Sequence, residues 1–233
     1  MDSIEDFFVK QPPTAARPLL GQTVLVVEDS RYACEALRLL CLRSGARIRR
    51  ADTLAAARKH LRVYRPTVII VDLGLPDGSG VDLIAELVGA DQRPTVILAS
   101  SGDEAGEAAA MDAGADGFLA KPLASVAQFQ AAILAHLPRD MQPPGPRAVT
   151  SDAVTPDAIA YRDDLSHALD ALTSGASDAA RYSAQFVEGL ARSMADRELA
   201  RAAKALRHAP EELIHRARLT SLIQARAGSR AAV

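Results

Sequence analysis

The sequence has no tryptophan, and aromatic residues make up only 4% of its 233 positions. A chain with so few rings offers little surface on which nucleic-acid bases can stack. The net charge is −2 at pH 7, from 27 basic and 29 acidic residues, so the composition predicts no broad attraction to nucleic acid or anionic lipid. Such a composition argues against a protein that works mainly as a nonspecific binder of polyanions.

Long apolar runs and cysteines are also scarce. No apolar run reaches the roughly 18–20 residues that cross a bilayer, and the acidic amino-terminal stretch MDSIEDFFVKQPP lacks the apolar core of a secretory signal. We therefore expect a cytoplasmic protein with no membrane partner. The two cysteines, Cys34 and Cys41, lie on one predicted helix with Cα atoms about 10 Å apart, too far for a disulfide, so we expect free thiols in the core.

Residues 21–138 alternate short apolar runs with amphipathic ones. Strands are predicted at TVLVV, ARIRR, TVIIV, PTVILAS and DGFLA, and each is followed by a helical pattern. In the first helix, Ser30 is the expected N-cap and Gly45 the expected stop. Five strand–helix pairs with short connections predict an α/β domain, a flavodoxin-like (βα)5 doubly wound parallel sheet.

The rest of the chain divides by composition. Residues 1–20 are predicted to be a flexible leader, 139–155 a proline-rich linker and 229–233 a tail. Between the linker and the tail only helical patterns are legible, so residues 156–228 are predicted to form a small all-α output or interaction domain.

Four helices are predicted in this domain. The first would start near Thr155, with Pro156 at its first helical position, and the fourth would open at Pro210. Asp196 is the expected cap of the third. The predicted apolar faces, in chain order, are Ile159, Leu165, Leu169 and Leu172; Tyr182, Phe186, Leu190 and Met194; Leu199, Ala203 and Leu206; and Leu213, Ala217 and Leu222.

Charged residues stand where the predicted strands end. Glu28 and Asp29 follow the first strand, and Asp72 ends the third, the most apolar segment of the chain. Ligands of open α/β sheets bind at the carboxyl ends of the strands, so these three carboxylates are expected to converge. A cluster of like charges is costly unless a cation shares it, and oxygen ligands with open positions suit Mg²⁺. An Asp beside Mg²⁺ can attack a phosphoryl group.

Two more side chains occupy strand ends. Ser100 ends the fourth strand, where its hydroxyl can bond to an oxygen of a phosphoryl group. Lys121 follows the fifth strand and precedes Pro122, so its ammonium can neutralise phosphoryl charge. The combination is a stronger indication of a phosphoryl-binding site than any of these residues alone. It consists of an acidic pair, a lone Asp, a hydroxyl and a Lys-Pro at successive strand ends.

These motifs, VLVVEDS, DLGLPDGSG, ILASSGD and AGADGFLAKP, resemble those of the receiver domain of two-component response regulators, over about residues 22–138. The resemblance implies that Asp72 is the phosphoacceptor and that Asp29 binds Mg²⁺ directly. It also implies that Glu28 acts on the metal through water and that the carbonyl of Gly74 coordinates it. Ser100 would be the switch hydroxyl, and Lys121, often in a cis Lys-Pro bond in this family, would pair with the phosphoryl group.

The sequence departs from the family pattern in two places. Phe118 is the switch aromatic, at a position where many members have a tyrosine hydroxyl. The stretch from Ser100 to Gly114 is also one residue shorter than usual, and Gly106 weakens its predicted helix. Ser101 is therefore a rival for the switch role.

The carboxyl-terminal helices are less informative. They loosely resemble a histidine-phosphotransfer domain, but Lys204 stands where the phosphorylated histidine would be, and lysine cannot replace imidazole in that step. Arg201 to Val233 is richer in basic than in acidic residues. This bias leaves open a DNA contact beside the more ordinary interpretation of a solvated face.

We therefore expect a response regulator, not an enzyme, that takes its phosphoryl group from a histidine kinase or phosphotransfer protein. It would signal through contacts with an unidentified downstream protein, or through a homodimer of its carboxyl-terminal helices. The alternative is a DNA-binding transcriptional regulator that uses the basic carboxyl-terminal end. A Mg²⁺-dependent phosphohydrolase is a third possibility, disfavoured because Gly74 stands where such enzymes commonly carry a second acid.

Overall fold

The computed structural model describes residues 12–103, 105–145, 152–173 and 177–228, with only the backbone of residues 177 and 178. The predicted tail, most of the predicted leader and the middle of the predicted linker lie outside these ranges. The strands are β1 Thr23–Val27, β2 Arg47–Ala51, β3 Val68–Asp72, β4 Gly74–Leu75, β5 Gly78–Ser79, β6 Val96–Ser101 and β7 Gly117–Ala120. The helices are α1 Arg31–Ser44, α2 Leu54–Val63, α3 Gly80–Val88, α4 Ala105–Asp112, α5 Val126–Leu134, α6 Ala158–Thr173, α7 Ser177–Ser193, α8 Arg197–His208 and α9 Leu213–Gly228.

Five strands form one parallel sheet in the order β2-β1-β3-β6-β7. The strand order reverses between β1 and β3, which is where open α/β sheets bind their ligands. Helices α1 and α5 contact one another, and α3 contacts α4, in keeping with helices on both faces of the sheet. The predicted (βα)5 doubly wound sheet is therefore confirmed.

The central strands are buried on both faces, and their side chains alternate between two hydrophobic cores. Val24 and Val26 face the core that contains Phe129 of α5. Leu25 and Val27 face the core that contains Ile84 of α3. This two-sided burial explains why β1 and β3 are continuous runs of β-branched and aliphatic residues.

The first helix begins and ends as predicted. The Ser30 hydroxyl accepts a hydrogen bond from the backbone N–H of Ala33, and Gly45 ends the helix with a φ of 85°. Cys34 and Cys41 are buried free thiols in the adjoining core.

The loop after β3 contains a short hairpin that the sequence prediction missed. Strands β4 and β5 pair antiparallel through two residues each, which turns the chain from Asp72 into α3. The carboxylate of Asp77 in this turn accepts hydrogen bonds from the backbone N–H groups of Leu54 and Ala55, at 2.8 and 2.9 Å. The turn is therefore tied to the start of α2.

The far end of the predicted linker packs on the sheet domain. Val154 is buried in the same core as Phe129, and its N–H donates to the carbonyl of Ala124 at 2.8 Å. Val126 in turn donates to the carbonyl of Asp152 at 3.0 Å. The prediction rested on proline density, which does not report the apolar residues that follow the prolines.

Helices α6 to α9 form a second unit with its own core. Helix α7 packs against α6 and α8, and α9 packs against the same two helices. Each of the four contributes to one hydrophobic cluster, whose buried members include Leu165, Leu190, Leu206 and Ile223. The predicted small all-α region is therefore present.

Several details of these helices differ from the prediction. Helix α6 begins at Ala158 rather than near Thr155, and Ile159 is 62% exposed. Met194 lies beyond the end of α7 and is exposed. Helix α9 begins at Leu213 rather than at Pro210. These residues fit the helical period, but they lie at helix ends and are exposed.

The other predicted apolar faces agree with the observed burial only in part. Leu165 and Leu172 are buried and Leu169 is partly buried in the cluster. The predicted face of α8, Leu199, Ala203 and Leu206, is fully buried, and Asp196 caps the helix through the N–H of Leu199. In α9 only Leu222 of the predicted face packs on the cluster, while Leu213 and Ala217 are exposed and Leu219 and Ile223 form the buried face. Among the residues described, no helix combines the length and apolarity needed to cross a membrane.

Gly80, the first residue of α3, allows that helix to pack closely against the end of β3 because it has no side chain. A Cβ atom at this position would overlap the carbonyl oxygen of Asp72 and lie 2.9 Å from its carbonyl carbon. We expect Gly80→Ala to lower the free energy of unfolding by roughly 2 kcal/mol or more, because the backbone of β3 would have to shift. Urea unfolding measures this change.

Gly89→Ala is the matched control for Gly80→Ala. Its Cβ would lie 3.7 Å from the nearest carbonyl oxygen, an ordinary contact. We expect no loss of stability in this variant. Equal effects of the two substitutions would contradict the role assigned to Gly80.

Candidate functional site

The ends of β1 and β3 bring three carboxylates together. Val27 and Val71 are paired in the parallel ladder, so Glu28 and Asp29 leave the sheet beside Asp72. Each of the three residues offers a carboxylate oxygen, and these oxygens lie within 4.8 Å of one another. Glu28 and Asp72 are buried, at 2% and 8% exposure. The sequence prediction of a converging acidic cluster thus matches the geometry.

Lys121 reaches this cluster from the end of β7. Its ammonium lies 2.6 Å from a carboxylate oxygen of Glu28 and 3.0 Å from one of Asp72. The Lys121–Pro122 peptide bond is cis. One cation is therefore shared between two of the three acids.

Burial makes the cluster reluctant to carry its full negative charge. Burial, reinforced by the charge of Asp72, raises the pKa of Glu28 to about 7. Burial, followed by the charges of Glu28 and Asp72, raises the pKa of Asp29 to about 8. Burial alone would lower the pKa of Lys121, but the carboxylates of Asp72 and Glu28 outweigh it and raise that pKa above its ordinary value. The site is therefore short of positive charge near neutral pH.

The other residues singled out in the sequence lie close by. Ser100 pairs with Asp72 across β3 and β6, and its buried hydroxyl donates to the carbonyl of Leu119 at 3.2 Å. Ser101 and Gly74 line the cavity above the cluster. Phe118 is partly buried against the core on the α3 side of the sheet. The geometry thus leaves both serines near the acids.

The cavity has a second wall that the sequence prediction missed. It is built by α7, which contributes Gln185, Glu188 and Arg192 to the lining. The Tyr182 hydroxyl donates a hydrogen bond to the carboxylate of Asp29. The acidic cluster therefore lies between the sheet domain and the helical unit.

The helical pattern of α7 contained a signal for this wall. Tyr182, Gln185, Glu188 and Arg192 recur at helical spacing and form a polar face beside the apolar one. The sequence analysis placed Tyr182 and Phe186 on the apolar face, because they recur at a spacing of four with Leu190 and Met194. A polar helix face is usually solvated, so only the fold reveals that this one meets the acids.

The donor set fits a small divalent cation. Hard cations such as Mg²⁺ and Ca²⁺ take oxygen ligands, and two oxygens on opposite sides of Mg²⁺ are about 4.1 Å apart. The carboxylate oxygens, which lie within 4.8 Å of one another, are near that spacing, and one of them can act through a bound water. The raised pKa values of Glu28 and Asp29 agree, because a site that lacks positive charge gains most from a cation.

A comparison with protein families decides what the first unit is. Residues 24–133 match the family described as the response regulator receiver domain. Residues 24–133 of this chain are a response regulator receiver domain. This domain type belongs to two-component signal transduction.

Curated relatives match mainly this half. The KDP operon transcriptional regulatory protein KdpE of Escherichia coli is 36% identical over 116 residues, which are 50% of this chain and 51% of the relative. A protein-glutamate methylesterase/protein-glutamine glutaminase of Cereibacter sphaeroides is 32% identical over 170 residues, 69% of this chain and 46% of that protein. The chain thus spans about half the length of these relatives.

A solved structure is similar over the same half. It is a response regulator of Burkholderia pseudomallei with a phosphorylated aspartic acid, a calcium ion and citrate, 34% identical to this chain. The match covers 48% of this chain and 65% of that chain, with a TM-score of 0.43.

The raised pKa of Asp29 predicts a pH-dependent instability in the absence of metal. The folded chain keeps a proton on Asp29 up to about pH 8, whereas an unfolded chain loses it near 3.8. Stability from this group is therefore present below pH 4 and is lost as the pH rises towards 8. In EDTA we expect Asp29→Asn to raise the thermal midpoint by a few degrees at pH 9 and by much less at pH 4.5.

The control for this titration is Asp91→Asn, an exposed position in the loop before β6. We expect its thermal midpoint to follow the wild type at both pH values. A stabilisation by Asp29→Asn that is the same at pH 4.5 and pH 9 would show that Asp29 is not titrating as inferred.

Proposed function

We propose that this chain is a response regulator that accepts a phosphoryl group on Asp72 from a histidine kinase or phosphotransfer protein, with Mg²⁺ as cofactor. The observation that supports this most is the placement of Asp72 at the end of a fully buried strand, 3.0 Å from Lys121 and beside the acidic pair of Glu28 and Asp29. A rigid nucleophile with an adjacent cation is what phosphoryl transfer requires, because that reaction depends on position and charge.

The side chains divide the work of the transfer. A carboxylate oxygen of Asp72 forms the new bond to phosphorus while the bond to the donor nitrogen breaks, and the donor keeps that electron pair. Asp29, Asp72 and the carbonyl of Gly74 would hold Mg²⁺ directly, and Glu28 through water. When bound, the ion neutralises negative charge on the oxygens of the phosphoryl group. Lys121, already paired with Asp72, would take one of these oxygens as its partner.

The response to phosphorylation would begin at β6 and β7. Ser100 would give up its bond to the Leu119 carbonyl and bond to the phosphoryl group instead. Phe118, at the neighbouring edge strand, would repack as that strand adjusts. With no hydroxyl on its ring, Phe118 can contribute packing but no hydrogen bond.

The output would pass through the helical unit, by contact with another protein or with a second copy of the chain, in the cytoplasm. KdpE is named a transcriptional regulatory protein, but its match covers about half of this chain. DNA binding by the basic carboxyl-terminal end therefore stays a prediction from the sequence.

Replacing the nucleophile tests the proposed transfer. We expect wild-type protein incubated with Mg²⁺ and acetyl phosphate to gain the mass of one phosphoryl group, and Asp72→Asn to gain none, because an amide is not a nucleophile towards phosphorus. Asp82→Asn, at an exposed position on α3, is the control and should label like the wild type. Labelling of Asp72→Asn at the wild-type level would refute the proposal.

A pair of alanine variants separates the two serines. We expect Ser100→Ala to label at Asp72 but to lose the change in hydrogen exchange of β6 and α4 that beryllofluoride, a phosphoryl mimic, induces in the wild type. Ser101→Ala should keep that change, because Ser100, rather than Ser101, is paired with Asp72 across β3 and β6. The opposite result would assign the switch role to Ser101.

A further inference from the structure

Helix α7 lines one side of the acidic cavity and contacts three of the four strand-end loops that form it. Tyr182 bonds to Asp29 in the loop after β1. Gln185 lies against Gly74 after β3, so close that a Cβ on Gly74 would meet its side-chain amide. Arg192 donates to the carbonyl of Gly102 after β6. Three strand-end loops are thus bridged by one helix.

A buried ion network supports the contact with the loop after β6. The carboxylate of Glu188 is 4% exposed and lies 2.5 Å from Arg192 and 3.0 Å from Arg207 of α8. Arg207 also lies 3.6 Å from Asp103. Two arginines therefore connect α7 and α8 to the loop that carries the candidate switch serines.

A second anchor lies at the start of α1. Asp164 of α6 is 3% exposed, and its carboxylate accepts the N–H groups of Arg31 and Tyr32 at 2.9 and 3.0 Å and the Ser30 hydroxyl at 2.8 Å. A buried carboxylate at a helix N-terminus makes charge-assisted hydrogen bonds, which are the stronger kind. The ring of Tyr161 packs edge-on against Tyr32 beside it, with centroids 6.0 Å apart. The helical unit is thus held one residue away from Asp29.

The covered cavity is small. Its volume is about 70 Å³, and the side chain of Asp72 is 10% exposed. A cavity of this size holds a few water molecules or a hydrated ion, since each water needs roughly 10–15 Å³ of such volume. A second protein that approaches Asp72 from this side would meet α7 first.

We propose that α7 is an internal cover of the phosphorylation pocket and that Tyr182 competes with a divalent cation for Asp29. The proposal rests on the proposed function for the identity of the pocket. The Tyr182 hydroxyl occupies a carboxylate that the cation needs, so cation binding and the covered state oppose each other. By linkage, whatever weakens the cover must tighten cation binding, and cation binding must loosen the cover to the same extent. Tyr182 would therefore act indirectly, through its hydrogen bond to Asp29.

Magnesium titration of the full chain by calorimetry tests the competition. We expect Tyr182→Phe to bind Mg²⁺ about tenfold more tightly than the wild type, because the substitution removes the hydrogen bond to Asp29, which exists only in the covered state. Tyr161→Phe is the matched control, since it removes a hydroxyl from the same helical unit at a ring that does not line the cavity. Its Mg²⁺ affinity should equal that of the wild type.

Two results would overturn the proposal that α7 covers the pocket, while leaving the proposed function intact. One is Mg²⁺ binding of equal strength in the wild type and both variants. The other is equal tightening in both variants, which would indicate general loosening rather than competition at Asp29. Absence of Mg²⁺ binding in the wild type and in every variant would instead overturn the metal site of the proposed function. This outcome differs from the two results that count only against the cover.

A second pair of variants tests the anchor without touching the pocket. Asp164→Asn would place an amide against N–H donors, whereas Asp163→Asn removes only the exposed ion pair with Arg31. We expect Asp164→Asn to bind Mg²⁺ several-fold more tightly and to speed hydrogen exchange in residues 182–192, while β3 stays protected. Asp163→Asn should leave both unchanged. Unchanged exchange of α7 in Asp164→Asn would contradict the cover.

Discussion

The arrangement of this chain depends on a cluster of carboxylates held where burial opposes their joint ionisation near neutral pH. Glu28, Asp29 and Asp72 meet at the ends of two buried strands, and Lys121 supplies one positive charge for the three. Burial removes the water that would otherwise screen them, so the pKa values of Glu28 and Asp29 rise to about 7 and 8. The strands that impose this arrangement are stable because both of their faces are buried in apolar cores.

The shortage of positive charge links the chemistry to the domain contact. In the proposed mechanism, a metal ion, a phosphoryl group with its metal, and the Tyr182 hydroxyl would all change the charge or the hydrogen bonding of the same acids. The loops that carry these acids also carry the contacts with α7. The proposed chemistry at Asp72 would therefore be coupled to the position of the helical unit through shared residues, with no need for a long pathway between two sites.

Much of the sheet domain was predictable from the sequence because its signals are local. Runs such as VIIVD end in charge, and Ser30 and Gly45 mark the limits of α1 through side-chain and backbone preferences that act within a few residues. The convergence of Glu28, Asp29, Asp72 and Lys121 followed from the rule that parallel strands present their carboxyl ends at one edge. Gly80 is different, since only the fold shows that its missing Cβ makes room for the backbone of Asp72.

The helical unit was less predictable because its decisive contacts are long-range. Asp164 is one acid among several on α6, and nothing in its local pattern shows that it caps α1, more than a hundred residues earlier. The sequence pattern of α7 is equally compatible with Tyr182 as a core residue of the apolar face. Exposed Ile159 and Leu213 show the converse, because helical period alone does not tell which residues have a neighbour.

The hydrogen bonds that fasten residues 152–154 to the start of α5 also limit how far the helical unit can travel. Val154 is buried in the sheet domain, and α6 starts at Ala158. Four residues span at most about 14 Å when fully extended. A released helical unit would stay on this short tether at a high effective concentration and rebind readily, so an incoming phosphodonor protein would always face an intramolecular competitor.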